Sequence, residues 1–224
     1  MKLRRWAPAA LLGAVVLTGC SGLTPGTAAV VDGTRITNAE VNDLTKAQCV
    51  AADQAAKGGS SQPTATSSLK MQSLSLLMDT QLSLHYAEDE KIAVDKSLAD
   101  NLYGQFESSI DALPASARPV LADTFQEWAK GRAVLISAGS KATGTQPDSK
   151  NLQQLLDAGL KQRGAWLKGI TIDTDSRYAP SRNGSPGGGQ GSVSQATSTF
   201  AKGARSTQPD ASFVSGLPAN QKCG

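Results

Sequence analysis

Residues 68–91 contain neither glycine nor proline, and Leu69, Leu74, Leu77, Met78, Leu82 and Leu84 recur along them at helical spacing. A run of that length makes a rod of roughly 33 Å at about 1.5 Å per residue. Its broad apolar face demands that other helices lie beside it. Aromatic residues are only 4% of the chain, so the core between such helices must come mainly from Leu, Val, Ile and Ala.

The flanking sequence supplies those helices. Ala28, Ala29, Val30 and Val31 read as a short strand, and Asp32-Gly33 as a turn, because Gly tolerates positive φ and Asp can bond its own backbone. Thr37 with Glu40 three residues later is a capping box, opening a helix that runs to about Lys57. Gly, Pro and Ser make residues 57–68 a loop. Asp95 caps a third helix in which Leu98, Leu102, Phe106 and Ile110 form one stripe, ended by Pro114. A fourth helix covers residues 117–142, with Leu121, Phe125, Trp128 and Leu135 inward; Gly131 and Gly139 weaken that pattern. Asp148 or Ser149 caps a fifth, carrying Leu152, Leu155, Leu156 and Leu160. A second β-like run follows at residues 169–173. A lone short strand is unstable, so it is expected to pair with residues 28–31 and bring the two ends of the helical body together. The fold class expected is therefore mainly α, about five helices with a small two-stranded sheet. Residues 28–178 are the domain, and residues 179–224, rich in Gly, Ser and Pro, a flexible tail. An apolar island at residues 213–217 docks if Cys223 is bridged.

Residues 1–19 have the layout of an export signal: Lys2, Arg4 and Arg5, an apolar run over residues 7–16, then small residues. That run is well below the roughly 20 residues of a spanning helix. Leu17, Thr18, Gly19 and Cys20 resemble a bacterial lipobox. The resemblance implies cleavage by signal peptidase II before Cys20, lipid on the Cys20 thiol (diacylglycerol, with palmitate-type acyl chains), and a tether over residues 20–27. The protein is then expected at the cell membrane, lipid-anchored on its extracytoplasmic face. The alternative is an ordinary signal peptide with an incidental cysteine. Removing Lys2, Arg4 and Arg5 from 22 basic residues leaves 19 against 19 acidic, a neutral mature chain. That argues against nucleic acid as a partner. Cys49 and Cys223 form a disulfide in an oxidising compartment or remain two free thiols.

The order of anchor, strand, turn, capped helix, further helices and closing strand resembles the N-terminal domain of the SurA and PrsA group of extracytoplasmic folding factors. It is closer still to small actinobacterial lipoproteins of that likeness. The residues that carry it are 29–41, AVVDGTRITNAEV, and 170–180, ITIDTDSRYAP, with the basic-aromatic pair Arg177 and Tyr178. The stretch 173–176 departs from the family's Asp-Pro. The resemblance implies chaperone-like binding of unfolded or secreted polypeptides. The parvulin isomerase domain of larger relatives needs about ninety residues and paired histidines; this chain has one histidine, His85, so no isomerase activity is expected.

No catalytic constellation stands out. One histidine cannot build a Ser-His-Asp or multi-histidine metal site. Asp173 and Asp175 share a strand face but lack the further oxygen ligands of a calcium loop, and Asp210 is distant in sequence. Glu88, Asp89 and Glu90 read as a solvated helix end. No phosphate-binding glycine motif lies between a strand and a helix. The chain is expected not to be an enzyme, and to hold no metal and no cofactor beyond the lipid. Tyr103, Phe106, Phe125, Trp128 and Trp166, with Met71 and Met78, are core residues or the lining of an apolar groove for unfolded segments. The alternative to a chaperone is an envelope scaffold that binds one specific protein partner.

Overall fold

The computed structural model describes residues 23–59, 62–178, 206 and 209–224. The export signal, the lipobox residues Leu17, Thr18, Gly19 and Cys20, and residues 179–205 lie outside them. The body is mainly helical with a small antiparallel sheet. Among the described residues, no helix is long and apolar enough to cross a membrane.

Strand β1 (Thr27–Val31) is the middle of a sheet, with β2 (Thr34–Thr37) on one side. The hairpin between them turns on Asp32 and Gly33, at φ of 46° and 83°. Two consecutive positive φ values are what a two-residue hairpin of matching twist requires. On the other side lies β4 (Ile172–Thr174), antiparallel, with Val31 facing Ile172 and Ala29 facing Thr174. The expected pairing of the two ends of the body is thus present. The sheet has a third strand beyond the two expected, because residues 34–37 pair with β1 before the helix begins.

Helix α1 (Asn38–Lys57) starts at Thr37 with both arms of the capping box: Glu40 N–H donates to Thr37 Oγ1 at 3.1 Å and Thr37 N–H to Glu40 Oε2 at 2.6 Å. The loop after it is not featureless; it contains β3 (Thr64–Ala65). Helix α2 (Thr66–Asp89) is the predicted rod. Its buried face includes Ser68, Ser73, Thr80 and Ser83 beside its leucines, and two of these hydroxyls bond back into the helix, Ser73 to Leu69 O and Ser83 to Asp79 O, both at 2.8 Å. Small hydroxyls at these positions allow neighbouring helices to come close.

Helix α3 (Lys96–Asp111) is capped by Asp95, whose carboxylate accepts from Leu98 N–H at 3.0 Å. Of its stripe only Ile110 is fully buried; Leu98, Leu102 and Phe106 are half-buried, since α3 packs on one side only. Helix α4 (Arg118–Thr143) runs through the centre and α5 (Leu152–Trp166) lies along it. The cap of α5 is Asn151 rather than Asp148 or Ser149. Asp148 instead accepts from the N–H groups of Lys150 and Asn151. Gly139 of α4 and Gly159 of α5 sit where the two backbones touch. A Cβ on Gly139 would strike Leu155 O, and one on Gly159 would strike Leu135 O. Glycine is required here for close approach, which is why these residues interrupt the apolar pattern.

The core has linked parts. The sheet packs on α2 through Val31, Ile36, Val41, Leu74, Met78 and Tyr178. Helices α1, α3 and α4 meet at Leu44, Ile110, Leu113 and Leu121. Helices α2, α4 and α5 meet at Tyr86, Val134, Leu135 and Ala138. The tail expected over residues 179–224 needs correction at its end. Residues 209–224 form α6 (Ala211–Ser215) and β5 (Lys222–Cys223), and β5 pairs antiparallel with β3. Cys49 and Cys223 are bridged, Cα atoms 5.1 Å apart across a sequence separation of 174. The apolar island beside Cys223 carries enough burial, at Val214 and Leu217, to dock once cross-linked.

Candidate functional site

An apolar cleft of about 480 Å³ opens between the second half of α1, the end of α3 and the start of α4. Ala51 and Ala55 form one wall, Phe106 and Ile110 another, and Leu121 and Phe125 the third, with Gln48, Gln54 and Ser109 among the polar groups beside them. Among the described residues, no charged one lines it. Its width follows from small residues on α1: alanines at 51 and 55 leave the volume that larger side chains would fill. Gln54 Nε2 donates to Ala112 O at 3.3 Å and ties α1 to the end of α3.

The aromatic wall is a packed cluster. Phe106 and Phe125 have ring centroids 4.9 Å apart, and Trp128 meets Phe106 edge-on at 5.4 Å. The Arg132 guanidinium lies 5.3 Å from the Trp128 ring centroid. Such pairs hold the rings in place, so the cleft is preformed.

Sequence reasoning named these aromatics but not their partners on α1. The signal it lacked was the alanine pair at helical spacing, which is indistinguishable from ordinary helix filler. Other members of the expected groove lie elsewhere. Trp166 donates from Nε1 to Asp89 Oδ2 at 2.9 Å and meets Tyr86 at a tilt, ring centroids 5.5 Å apart, beside the core shared by α2, α4 and α5. Met71 and Met78 are buried in the core. Tyr103 belongs to a separate cleft with Val94, Lys96, Asp100 and Lys130. A third cleft is edged by Glu40, Asp43, Asp123 and Glu127. Charge in both makes them unsuited to apolar segments of arbitrary sequence.

The remaining singled-out residues have structural roles. His85 Nε2 is 2.8 Å from Thr34 Oγ1 and joins α2 to β2. Asp173 is exposed, while Asp175 lies just past β4 and binds the Arg177 guanidinium, Oδ2 to Nη2 2.7 Å. Asp210 caps α6, accepting from Phe213 N–H at 2.9 Å. Among the described residues no group of three or more His, Cys, Asp or Glu side chains is placed to hold a metal ion.

The basic-aromatic pair closes the domain. Tyr178 Oη donates to Asn38 Oδ1 at 3.0 Å, and Asn38 Nδ2 donates to Thr27 O at 3.1 Å, linking the chain after β4 to the start of α1 and to β1. Lys70 Nζ stands 5.6 Å from the Tyr178 ring centroid. Burial, and then the Arg177 charge, pull the Lys70 ammonium below its ordinary range, with Asp175 opposing. The hydrogen bond from the Arg177 side chain holds the Asp175 carboxyl below its ordinary value. A carboxyl depressed on folding contributes stability that is present above the ordinary carboxylate range, about pH 4, and lost as pH falls through the lower folded value. Asp175→Asn should therefore lower the melting temperature at neutral pH, modestly because the Arg177 side chain is largely exposed, and converge with the wild type in acid, which flattens the acid limb of a plot of melting temperature against pH. An unchanged acid limb refutes the role given to this pair.

No family model, curated protein or solved structure matches the chain.

Proposed function

We propose that the protein is an extracytoplasmic lipoprotein, anchored through Cys20 at the cell membrane, that binds apolar segments of unfolded or secreted polypeptides without ATP and without isomerase chemistry. The carrying observation is the uncharged, preformed cleft between α1, α3 and α4. An apolar patch walled by rigid aromatic and small aliphatic groups suits side chains of many sequences, because its contacts are non-directional. The Cys49–Cys223 bridge supports an oxidising compartment. The pairing of β1 with β4 and the Tyr178–Asn38 contact support the resemblance to SurA and PrsA N-terminal domains. Those are the ends that the resemblance joins. A second reading, an envelope scaffold for one protein partner, is favoured by the modest cleft volume, about 480 Å³, which suits a short segment.

The test adds the chain from Ser21 onward to several unrelated unfolding proteins and follows light scattering. Suppression of aggregation at near-stoichiometric ratios is expected for all of them. Ala55→Glu sets an unpaired carboxylate in the cleft wall while keeping a good helix former. It should raise the amount needed roughly tenfold or more, the equivalent of about 1.4 kcal/mol. No suppression of any client sinks the chaperone reading and leaves the scaffold.

A further inference from the structure

The last residues of the chain occupy a place where another strand would fit. Residue β3 Thr64 faces Cys223 of β5 and Ala65 faces Lys222, an antiparallel ladder of two residue pairs. Val214 and Leu217 pack on Ala65, which is fully buried beneath them. Gly224 N–H donates to Asp53 Oδ1 at 2.6 Å.

These contacts are a weak grip without the covalent bond. A two-pair ladder is far too short to hold by itself, and a five-residue helix such as α6 is below the length at which helices persist unaided. Against them stands the entropy of ordering the whole segment 209–224. The receiving edge is continuous with a part of the body that the segment does not hold together. Strand β3 leads directly into α2, which is held by Leu74, Met78 and Leu82 against the sheet and by its contacts with α4. Cys223 is buried, whereas Cys49 on α1 is half-exposed, so a reductant's approach is from the Cys49 side.

We propose that residues 209–224 are a resident strand latched by the Cys49–Cys223 disulfide over a second polypeptide site, and that reduction frees the β3 edge for an extended apolar segment of another chain. The inference rests on the polypeptide-binding reading above. The occupant is defined by what sits there now: an extended stretch that adds to a sheet edge, with apolar side chains nearby that cover Ala65. The reductant is a dithiol. Its thiolate attacks Cys49 Sγ, the disulfide breaks, and Cys223 leaves as a thiolate that takes a proton from water. The second thiol of the reductant then displaces Cys49 and closes the reductant's own disulfide. Two electrons pass from the dithiol to the cysteine pair.

The experiment uses the chain from Ser21 onward, which holds every described element, as oxidised wild type, as wild type with dithiothreitol, and as the Cys49→Ser/Cys223→Ser variant. Amide hydrogen exchange follows the latch, and the anisotropy of fluorescently labelled β-casein, an unfolded polypeptide, follows binding. Opening should raise exchange at Ala65 and Lys222 by about tenfold or more, leave the amides around Leu135 and Leu155 unchanged, and tighten β-casein binding by about tenfold. Persistent protection of residues 222–224 after reduction overturns the proposal. So does loss of protection around Leu135, which makes the bridge a staple of the whole body, and so does release with no gain in binding. Binding by the reduced chain alone keeps this site and removes the cleft reading. Equal binding before and after reduction keeps the cleft and removes this site.

Discussion

Gly159→Ala is expected to destabilise the protein by about 3 kcal/mol or more, read from chemical denaturation followed by helical circular dichroism. The new Cβ would lie 2.6 Å from Leu135 C and closer still to Leu135 O, both backbone atoms that no rotamer change can move. Helices α4 and α5 must separate, and the packing of Val134, Leu135 and Ala138 against Leu156 and Leu160 opens with them. Alanine gains roughly 1 kcal/mol over glycine in a helix, too little to reverse the sign. Gly139→Ala meets the same obstacle at Leu155 O and, at 2.7 Å, Leu155 C. Because either substitution forces the same separation, the double variant should lose less than the sum of the two, by about 1 kcal/mol. Gly104→Ala on α3 has nothing within 4 Å and is the control, expected to be stabilising by about 0.5 kcal/mol or more. Neutral behaviour of both Gly139→Ala and Gly159→Ala would show that the helices do not approach so closely.

The second large effect lies at Asp79. Its carboxylate holds Arg163 at 2.6 Å and Arg132 at 3.9 Å, and the Arg163 side chain is only 9% exposed. Arg163 also donates to Ser83 Oγ at 2.6 Å, while its Nε has no hydrogen-bond partner among the described residues. Asp79→Ala leaves a buried guanidinium beside a second cation with no counter-charge, at an expected cost of about 3 kcal/mol. The lower end of the range applies because the Asp79 side chain is 31% exposed and partly screened by water. Arg163→Met should cost less, about 1–2 kcal/mol, since an unbranched apolar chain fills the space and Asp79 keeps Arg132 and solvent. Equal losses for the two variants would contradict the account, because it assigns the cost to the stranded charge.

Parts of this fold are legible because local chemistry decides them. Thr37 with Glu40 and Asp95 with Leu98 N–H are short-range contacts, and the capping pattern announces them. Asp32-Gly33 specifies its own turn. The pairing of β1 with β4 is long-range, yet it follows by elimination, since each strand needs a partner and few candidates exist. What stays hidden depends on three-dimensional meeting points. Arg163 has no periodic signature that separates it from a surface arginine, and only the fold brings Asp79 and Ser83 to it. Gly139 and Gly159 read as weak points in helices until the crossing gives them a purpose. The cleft was half visible: Phe106 and Phe125 stand out as scarce aromatics, whereas Ala51 and Ala55 define its space by what they lack. Strand β3 was hidden because two residues carry no pattern of their own and their partner lies more than 150 residues further along the sequence.

The cross-link between Cys49 and Cys223 also determines how the molecule answers a mechanical pull. Consider tension that enters ahead of β1 and leaves after Cys223. It passes across the sulfur bridge and bypasses everything between. Only the segment before Cys49, meaning the hairpin and the first half of α1, bears load. Helices α2 to α5 and the strand β4 hang outside the line of force. Yielding would begin where β1 is zipped between β2 and β4, and extension would stop at the bridge, with the greater part of the helical body still folded.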